Sequence, residues 1–298
     1  MSAPGFVRDD VAAGLDEIGG LRLEWAVACN VGSVREANED GALVRPGTYL
    51  LADGMGGHDC GEVASEIALD VLSRVDTGGE QDATREAVDA LLVEAQDKIG
   101  DVDTSSERRA GTTATGAVLI ERDGSPHWLV FNIGDSRTYC VRDGVLEQVT
   151  VDHSQVQEFV DAGMMTPEQA RVDARRNVIT RALGGGMEPP RADFFVFATE
   201  PGDQLMLCSD GLTGELPDPE IADILADAET AQDAVDNLVE GALALGGHDN
   251  ITVVLVRVAA GDAADDNTGD DDAVDDNTGA DEAGGDEAGG DEKTDADA

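Results

Sequence analysis

Five acidic residues carry the clearest chemical signal in this 298-residue chain: Asp40, Asp53, Asp135, Asp210 and Asp249. Three lie in Gly-containing turns after apolar runs, in TYLLADGMGGH (48–58), LVFNIGDSR (129–137) and DQLMLCSDG (203–211). Asp249, in GGHDN, precedes the run ITVVLVRV, and Asp40 closes REANED (35–40). A strand that ends on Asp and turns on Gly sets a carboxylate at the rim of a sheet. One such Asp is ordinary turn chemistry. Several on one chain predict a site for hard, oxygen-loving cations such as Mg²⁺ or Mn²⁺. Asp53 is the best bridging candidate, because its two oxygens can serve two cations and Gly54 lets a backbone carbonyl approach one of them. Asp210 and Asp249 offer terminal carboxylates. Two cations roughly 3.5–4 Å apart would lower the pKa of a shared water, which suits in-line hydrolysis of a phosphate ester. Arg35 offers a planar fork for the phosphoryl oxygens, and His58 titrates in the range useful for protonating a leaving alcohol.

The elements that must hold these residues follow from periodicity. LEWAVACN (23–30) and GTYLLADG (47–54) read as core strands. Residues 60–75 place Val63, Ile67, Val71 and Val75 at helical spacing, and 80–100 continue that pattern up to Gly100. Strands broken by Asp-Gly turns then run to about residue 150. Residues 151–183 are polar and read as mostly helical. Strands return in RADFFVFATEPGDQLMLCSDG, two amphipathic helices follow, and 251–260 form the last strand. This order does not alternate βαβ. It predicts an α+β fold with antiparallel sheets between helix pairs. Residues 1–22 lack clear periodicity and read as a flexible arm ahead of a catalytic domain at 23–260.

The chain has 64 acidic and 19 basic residues, a net charge of −45, of which 261–298 supply −15. That tail repeats DDNTG and DEAGG, has little apolar surface to offset ordering, and is expected to be disordered. With 17 Arg, two Lys and 3% aromatics, the remainder reads as adaptation to a salt-rich interior, with nucleic-acid mimicry as the alternative. No basic patch supports nucleic-acid binding. Cys29, Cys140 and Cys208 sit in apolar runs and read as small buried hydrophobes, and four Cys do not make a disulfide framework here. The N-terminus lacks a signal region and no run reaches membrane-spanning length, so a cytoplasmic monomer is expected.

Eight segments, REANED, ADGMGGHDCGEVAS (52–65), GTTAT (111–115), NIGDSR (132–137), DHSQV (152–156), RNVITRALG (176–184), LCSDGL (207–212) and HDNITVVLV (248–256), together resemble the metal-dependent type 2C family of serine/threonine protein phosphatases in its microbial form. The resemblance implies a four-layer α-β-β-α sandwich with the metal cluster at one edge of two mainly antiparallel sheets. It implies that Asp53, Asp210 and Asp249 hold one cation, and that Asp53, the Gly54 carbonyl and Glu39 hold a second. Asp135 with Asp210 would form a weaker third site. Asp40 and Asn250 would support the cluster from behind, and Arg35 would bind the substrate phosphate. Residues 151–181 match a mobile flap over the site. The implied substrates are proteins phosphorylated on serine or threonine by kinases.

Two rival readings start from other residues. Cys29-Asn-Val-Gly-Ser-Val-Arg35 fits C-x-x-G-x-x-R, the phosphate loop of cysteine-dependent phosphatases, although Ala28 and Glu36 depart from that pattern. A catalytically dead binding module would lack metal ligands, and here none of them is missing.

Overall fold

Alternation of side chains along each strand decides the layers. This computed structural model describes residues 5–56, 60–102, 109–187 and 190–259. Contacts divide the chain into two units, Met1–Gly261 and Asp262–Ala298, and the second lies outside the described residues. In chain order the elements are β1 (Phe6–Val7), β2 (Val11–Ile18), β3 (Leu21–Asn30), β4 (Gly41–Arg45), β5 (Thr48–Ala52), β6 (Gly54–Met55), α1 (Cys60–Leu72) and α2 (Gln81–Gly100). Then come β7 (Gly111–Thr112), β8 (Ala114–Arg122), β9 (Ser125–Ile133), β10 (Arg137–Arg142), β11 (Val145–Gln148), α3 (Gln155–Asp161) and α4 (Pro167–Val172). The last are β12 (Leu183–Gly184), β13 (Asp193–Ala198), β14 (Gln204–Cys208), α5 (Asp210–Thr213), α6 (Asp218–Asp227), α7 (Ala231–Leu245) and β15 (Ile251–Ala259).

One six-stranded antiparallel sheet has the order β1-β4-β5-β8-β9-β13 and the other β11-β10-β14-β15-β3-β2. Tyr49 and Leu51 of β5 point between the sheets, where they meet Trp25, Trp128, Leu207 and Val254. Leu50 and Ala52 point the other way, onto Ala68, Leu72 and Leu92 of α1 and α2. On the second sheet Val253 and Leu255 turn outward against Ile221, Val235 and Leu238 of α6 and α7. Three stacked cores therefore make four layers, α-β-β-α, as expected. The period of two along each strand forces this arrangement, since both faces of β5 and β15 are apolar and each needs cover. Thr230 starts α7 with a reciprocal capping box to Asp233.

Three expectations need correction. Residues 6–18 are not an arm: β1 pairs with β4, and β2 pairs with β3 across the Gly19-Gly20 turn, where φ is +59° and +76°. The alternation in VAAGLDEI is weak because β2 is an edge strand with Val11 and Leu15 exposed. On α1 the buried face is Gly61, Ala64, Ser65, Ala68, Leu69, Val71 and Leu72; of the expected stripe Val71 and Val75 are buried and Ile67 packs against the core, whereas Val63 is exposed. Small residues let the helix lie close on the sheet, and the expected stripe errs only at Val63. Residues 151–183 hold only two short helices, α3 and α4, joined by turns. His58 and the acidic tail at 261–298 fall outside the described residues. Among the described residues no helix is long and apolar enough to cross a membrane.

Candidate metal centre

Strand register brings the acidic residues to one edge of the sandwich. Gly41 pairs with Ala52, so the next position outward sets Asp40 opposite Asp53. Arg137 pairs with Cys208, so the same ladder continued sets Asp135 opposite Asp210. Asn30 pairs with Ile251, which brings the loop after β3 beside Asp249. Five carboxylates and the Arg35 loop thus meet through non-local pairing alone.

Electrostatics show how closely they meet. Burial raises Asp53 well above the ordinary carboxylate range, and the charges of Asp40, Asp210, Asp135 and Asp249 push it further. Asp210 is raised to about 6 by burial and then by Asp249; Arg35 and a hydrogen bond with Asp53 act against the rise. Asp40 is raised to about 7 by burial, against hydrogen bonds from Ser209 and Thr252. Its Oδ2 accepts from Thr252 Oγ1 at 2.8 Å. Asp135 is raised well up by burial and by Asp210, and its buried Oδ1 has no hydrogen-bond partner. Among the described residues no three Asp, Glu, His or Cys side chains stand in a finished coordination geometry. The carboxyls are crowded, so burial and neighbouring charge hold Asp53 and Asp210 above the ordinary carboxylate range.

This crowding fits divalent cations. The donors are hard oxygens, one of them orphaned, and their like charges oppose ionisation until positive charge arrives. The backbone is shaped to match. A Cβ on Gly54 would run into the carbonyl oxygens of Glu39 and Gly61, and one on Gly61 would press the Glu39 carboxylate. Gly54 N–H donates to the Glu39 carbonyl at 3.2 Å. Asp53, Gly54 and Glu39 are thereby packed together.

Arg35 is exposed and its Nη2 meets Asp249 Oδ2 at 2.6 Å. Burial works to lower its pKa, but the Asp249 contact and the charges of Glu39 and Asp210 raise it. Asn250 is buried. It accepts the Glu39 N–H at 2.9 Å on Oδ1 and donates Nδ2 to the Val31 and Ala37 carbonyls at 2.9 and 3.0 Å. One amide therefore holds both ends of the loop that carries Arg35.

Sequence reasoning missed the hydroxyls behind Asp53. Thr113 Oγ1 accepts the Asp53 N–H at 3.0 Å and meets Ser136 Oγ at 2.8 Å; Thr112 Oγ1 donates to the Asp53 carbonyl at 2.9 Å. All three are fully buried. The GTTAT and GDSR motifs were visible, but their hydroxyls gave no separate signal. His153 was also passed over. It fixes the 151–181 segment to the turn beside Asp135, with Gly134 N–H donating to Nδ1 at 3.1 Å and Asp193 Oδ2 standing 3.2 Å from Nε2. Further along, Arg171 of α4 donates to the Thr213 and Glu215 carbonyls at 2.8 and 3.2 Å, beside α5.

Cys29 is a buried strand residue. Its Sγ accepts from Asn38 Nδ2 at 3.3 Å and lies 3.1 Å from Thr252 Oγ1, whose proton goes to Asp40, and burial pushes its pKa up to about 11. A thiol so protonated is no nucleophile, which removes the C-x-x-G-x-x-R reading.

Comparison with known proteins agrees with this geometry. The family described as "Protein phosphatase 2C" matches residues 37–244. The serine/threonine protein phosphatase PstP of Mycobacterium tuberculosis is 37% identical over 241 residues, 80% of this chain and 45% of its own, so the chain spans about half of that relative. The serine/threonine phosphatase stp of Listeria innocua is 36% identical over 236 residues, covering 76% of this chain and 92% of its own. A crystal structure of the PstP catalytic domain in complex with two manganese ions superposes with a TM-score of 0.69 at 35% identity, covering 80% of this chain and 100% of that one. With a family match over residues 37–244 and relatives 36–37% identical over most of its length, the chain belongs to the protein phosphatase 2C family.

Proposed function

We propose that the protein hydrolyses phosphoserine and phosphothreonine esters in proteins with the help of two divalent cations, Mn²⁺ or Mg²⁺, and that the cluster at the sandwich edge is its active site. The observation that carries this reading is the convergence of Asp40, Asp53, Asp135, Asp210 and Asp249 at one edge, where burial and neighbouring carboxylate charge raise the pKa values of the first four. Asp53, Asp210 and Asp249 would hold one cation, and Asp53, Glu39 and the Gly54 carbonyl the other. Asp135 with Asp210 offers a third, weaker place. When bound, the cations supply an activated water and neutralise phosphoryl charge.

The chain's own residues do the rest. Asn250 fixes the Arg35 loop, and the Arg35 fork turns from Asp249 to the phosphoryl oxygens. Asp40, held by Thr252, keeps the strand end in place behind Asp53. His58 keeps the role of proton donor to the leaving alcohol. The substrates are phosphoproteins made by serine/threonine kinases, the protein works as a cytoplasmic monomer, and segment 151–181 moves over the site as a flap. The acidic segment 261–298 is a solvated appendage that turnover does not need.

Phosphopeptide hydrolysis by the purified chain, with Mn²⁺ and after chelation, tests this reading. Activity lost to the chelator, restored by Mn²⁺ and retained in Cys29→Ser supports it. Activity that survives chelation but fails in Cys29→Ser overturns it.

A further inference from the structure

One basic side chain from the N-terminal strand turns inward behind the acidic cluster. Arg8 follows β1, and its side chain is only 10% exposed. Nε donates to the Asp40 carbonyl at 2.7 Å, and Nη1 to Glu62 Oε1 at 2.9 Å. Nη2 donates to the Glu62 carbonyl at 3.1 Å and to Ser65 Oγ at 2.8 Å. Ser65 Oγ passes its own proton to the Glu39 carbonyl at 2.6 Å, the same oxygen that accepts the Gly54 N–H. The Phe6 ring lies 4.9 Å from the guanidinium. The next residues complete the clasp: Asp9 Oδ1 accepts from Asn38 Nδ2 at 2.8 Å, and the Asp10 carbonyl accepts the Cys29 N–H at 3.0 Å.

We propose that Arg8 is a positioning residue for the cation site formed by Glu39, Asp53 and the Gly54 carbonyl. Its fork ties the Glu39–Asp40 backbone to the first turn of α1, the two pieces of chain whose spacing sets where the Glu39 carboxylate stands relative to the Asp53-Gly54 turn. Four donors on one rigid plane fix that spacing; a lysine offers a single point of attachment. Arg8 lies outside the 37–244 range matched by the family. The inference rests on the reading of the cluster as a cation site, and it extends that reading to a residue that touches neither substrate nor cation.

Calorimetric titration of chelated full-length protein with Mn²⁺ tests it, with wild type, Arg8→Ala, Arg8→Lys, Ser65→Ala and the Arg8→Ala/Ser65→Ala pair. Loss of an outer-shell partner weakens metal binding by about tenfold or more. Arg8→Ala is expected to weaken one Mn²⁺ site by that factor while the others hold. Arg8→Lys should recover part of it, and the double variant should be no worse than Arg8→Ala, because both act through one chain of hydrogen bonds. Saturating Mn²⁺ should restore kcat with the phosphopeptide KM unchanged. Wild-type Mn²⁺ affinity in Arg8→Ala, whatever its melting temperature, overturns the proposal. Ser65→Ala leaves β1 in place, so it decides the matter if Arg8→Ala does not fold: weakened affinity supports the proposal and unchanged affinity overturns it. Wild-type protein that binds no Mn²⁺ overturns the reading of the cluster itself, a result distinct from a failure confined to the variants.

Discussion

Asn250 Oδ1 accepts the Glu39 backbone N–H at 2.9 Å although the two residues are 211 positions apart. The contact ties the start of β15 to the loop that leads into β4, and so ties Asp249 to Glu39 and Asp40. Asn250→Ala would leave the Glu39 N–H and the Val31 and Ala37 carbonyls without their partner. An unmet buried polar group costs about 1–3 kcal/mol. The expected result is a loss of about that size or more in urea unfolding, together with a raised phosphopeptide KM from the loosened Arg35 loop. Unaltered stability would show that the loop holds itself.

Arg35 contacts Asp249 at 2.6 Å with both side chains partly exposed, so the ion pair itself adds little to stability. In the proposed function its part is to grip the substrate phosphate. A charge-assisted hydrogen bond contributes about 1.5–3 kcal/mol, so Arg35→Ala should lower kcat/KM by about 10- to 150-fold while the melting temperature stays within experimental scatter. Arg35→Lys should remain well below wild type because a point charge cannot make the fork. Steady-state kinetics at saturating Mn²⁺ give the answer.

How much of this was legible beforehand depends on the range of the contacts. The apolar runs in TYLLA and ITVVLVRV marked buried strands, and an Asp at the end of each run marked the rim. Those are local signals. Which rim residues face each other was not local: Asp40 meets Asp53 only because β4 and β5 pair in one register, and a slip of one residue would have parted them. The first strands were lost for a related reason. Their apolar signal is faint on an edge, and Arg8 reveals its purpose only through partners 32 to 57 positions away. Around α1 the valine spacing found the buried Val71 and Val75 but not the alanines that pack beside them.

His153 gives a pH dependence whose sign follows from its partners. Burial lowers its pKa from the ordinary 6.5, the Arg181 charge lowers it too, and Asp193 and Asp152 oppose the shift. Gly134 N–H donates to Nδ1, and Nε2 stands 3.2 Å from Asp193 Oδ2 and 3.1 Å from Arg181 Nη1, so a ring protonated on both nitrogens would meet that N–H and a cation. The folded state therefore prefers neutral His153. Its contribution to stability is full above pH 6.5 and is lost as pH falls through the lowered folded value. Thermal unfolding of wild type and His153→Asn at constant salt, from pH 7.5 to pH 5, should show a steeper decline in wild type. Parallel curves would remove His153 as the cause.

The net charge of −45 predicts a salt response. Self-repulsion among surface carboxylates weakens as the Debye length shrinks from about 10 Å at 0.1 M to about 3 Å at 1 M. The melting temperature should rise across that range, in the full chain and in a chain ending at residue 260. A flat or falling response would show that the acidic surface is already neutralised within the fold.

The central claim is that Asp53 joins two cations, and counting bound Mn²⁺ tests it most directly. Wild-type protein, freed of metal and titrated with Mn²⁺, should bind at least two ions, whereas Asp53→Ala should lose both tight sites and its phosphatase activity together. Asp53→Ala that binds Mn²⁺ with wild-type stoichiometry and affinity would contradict the account.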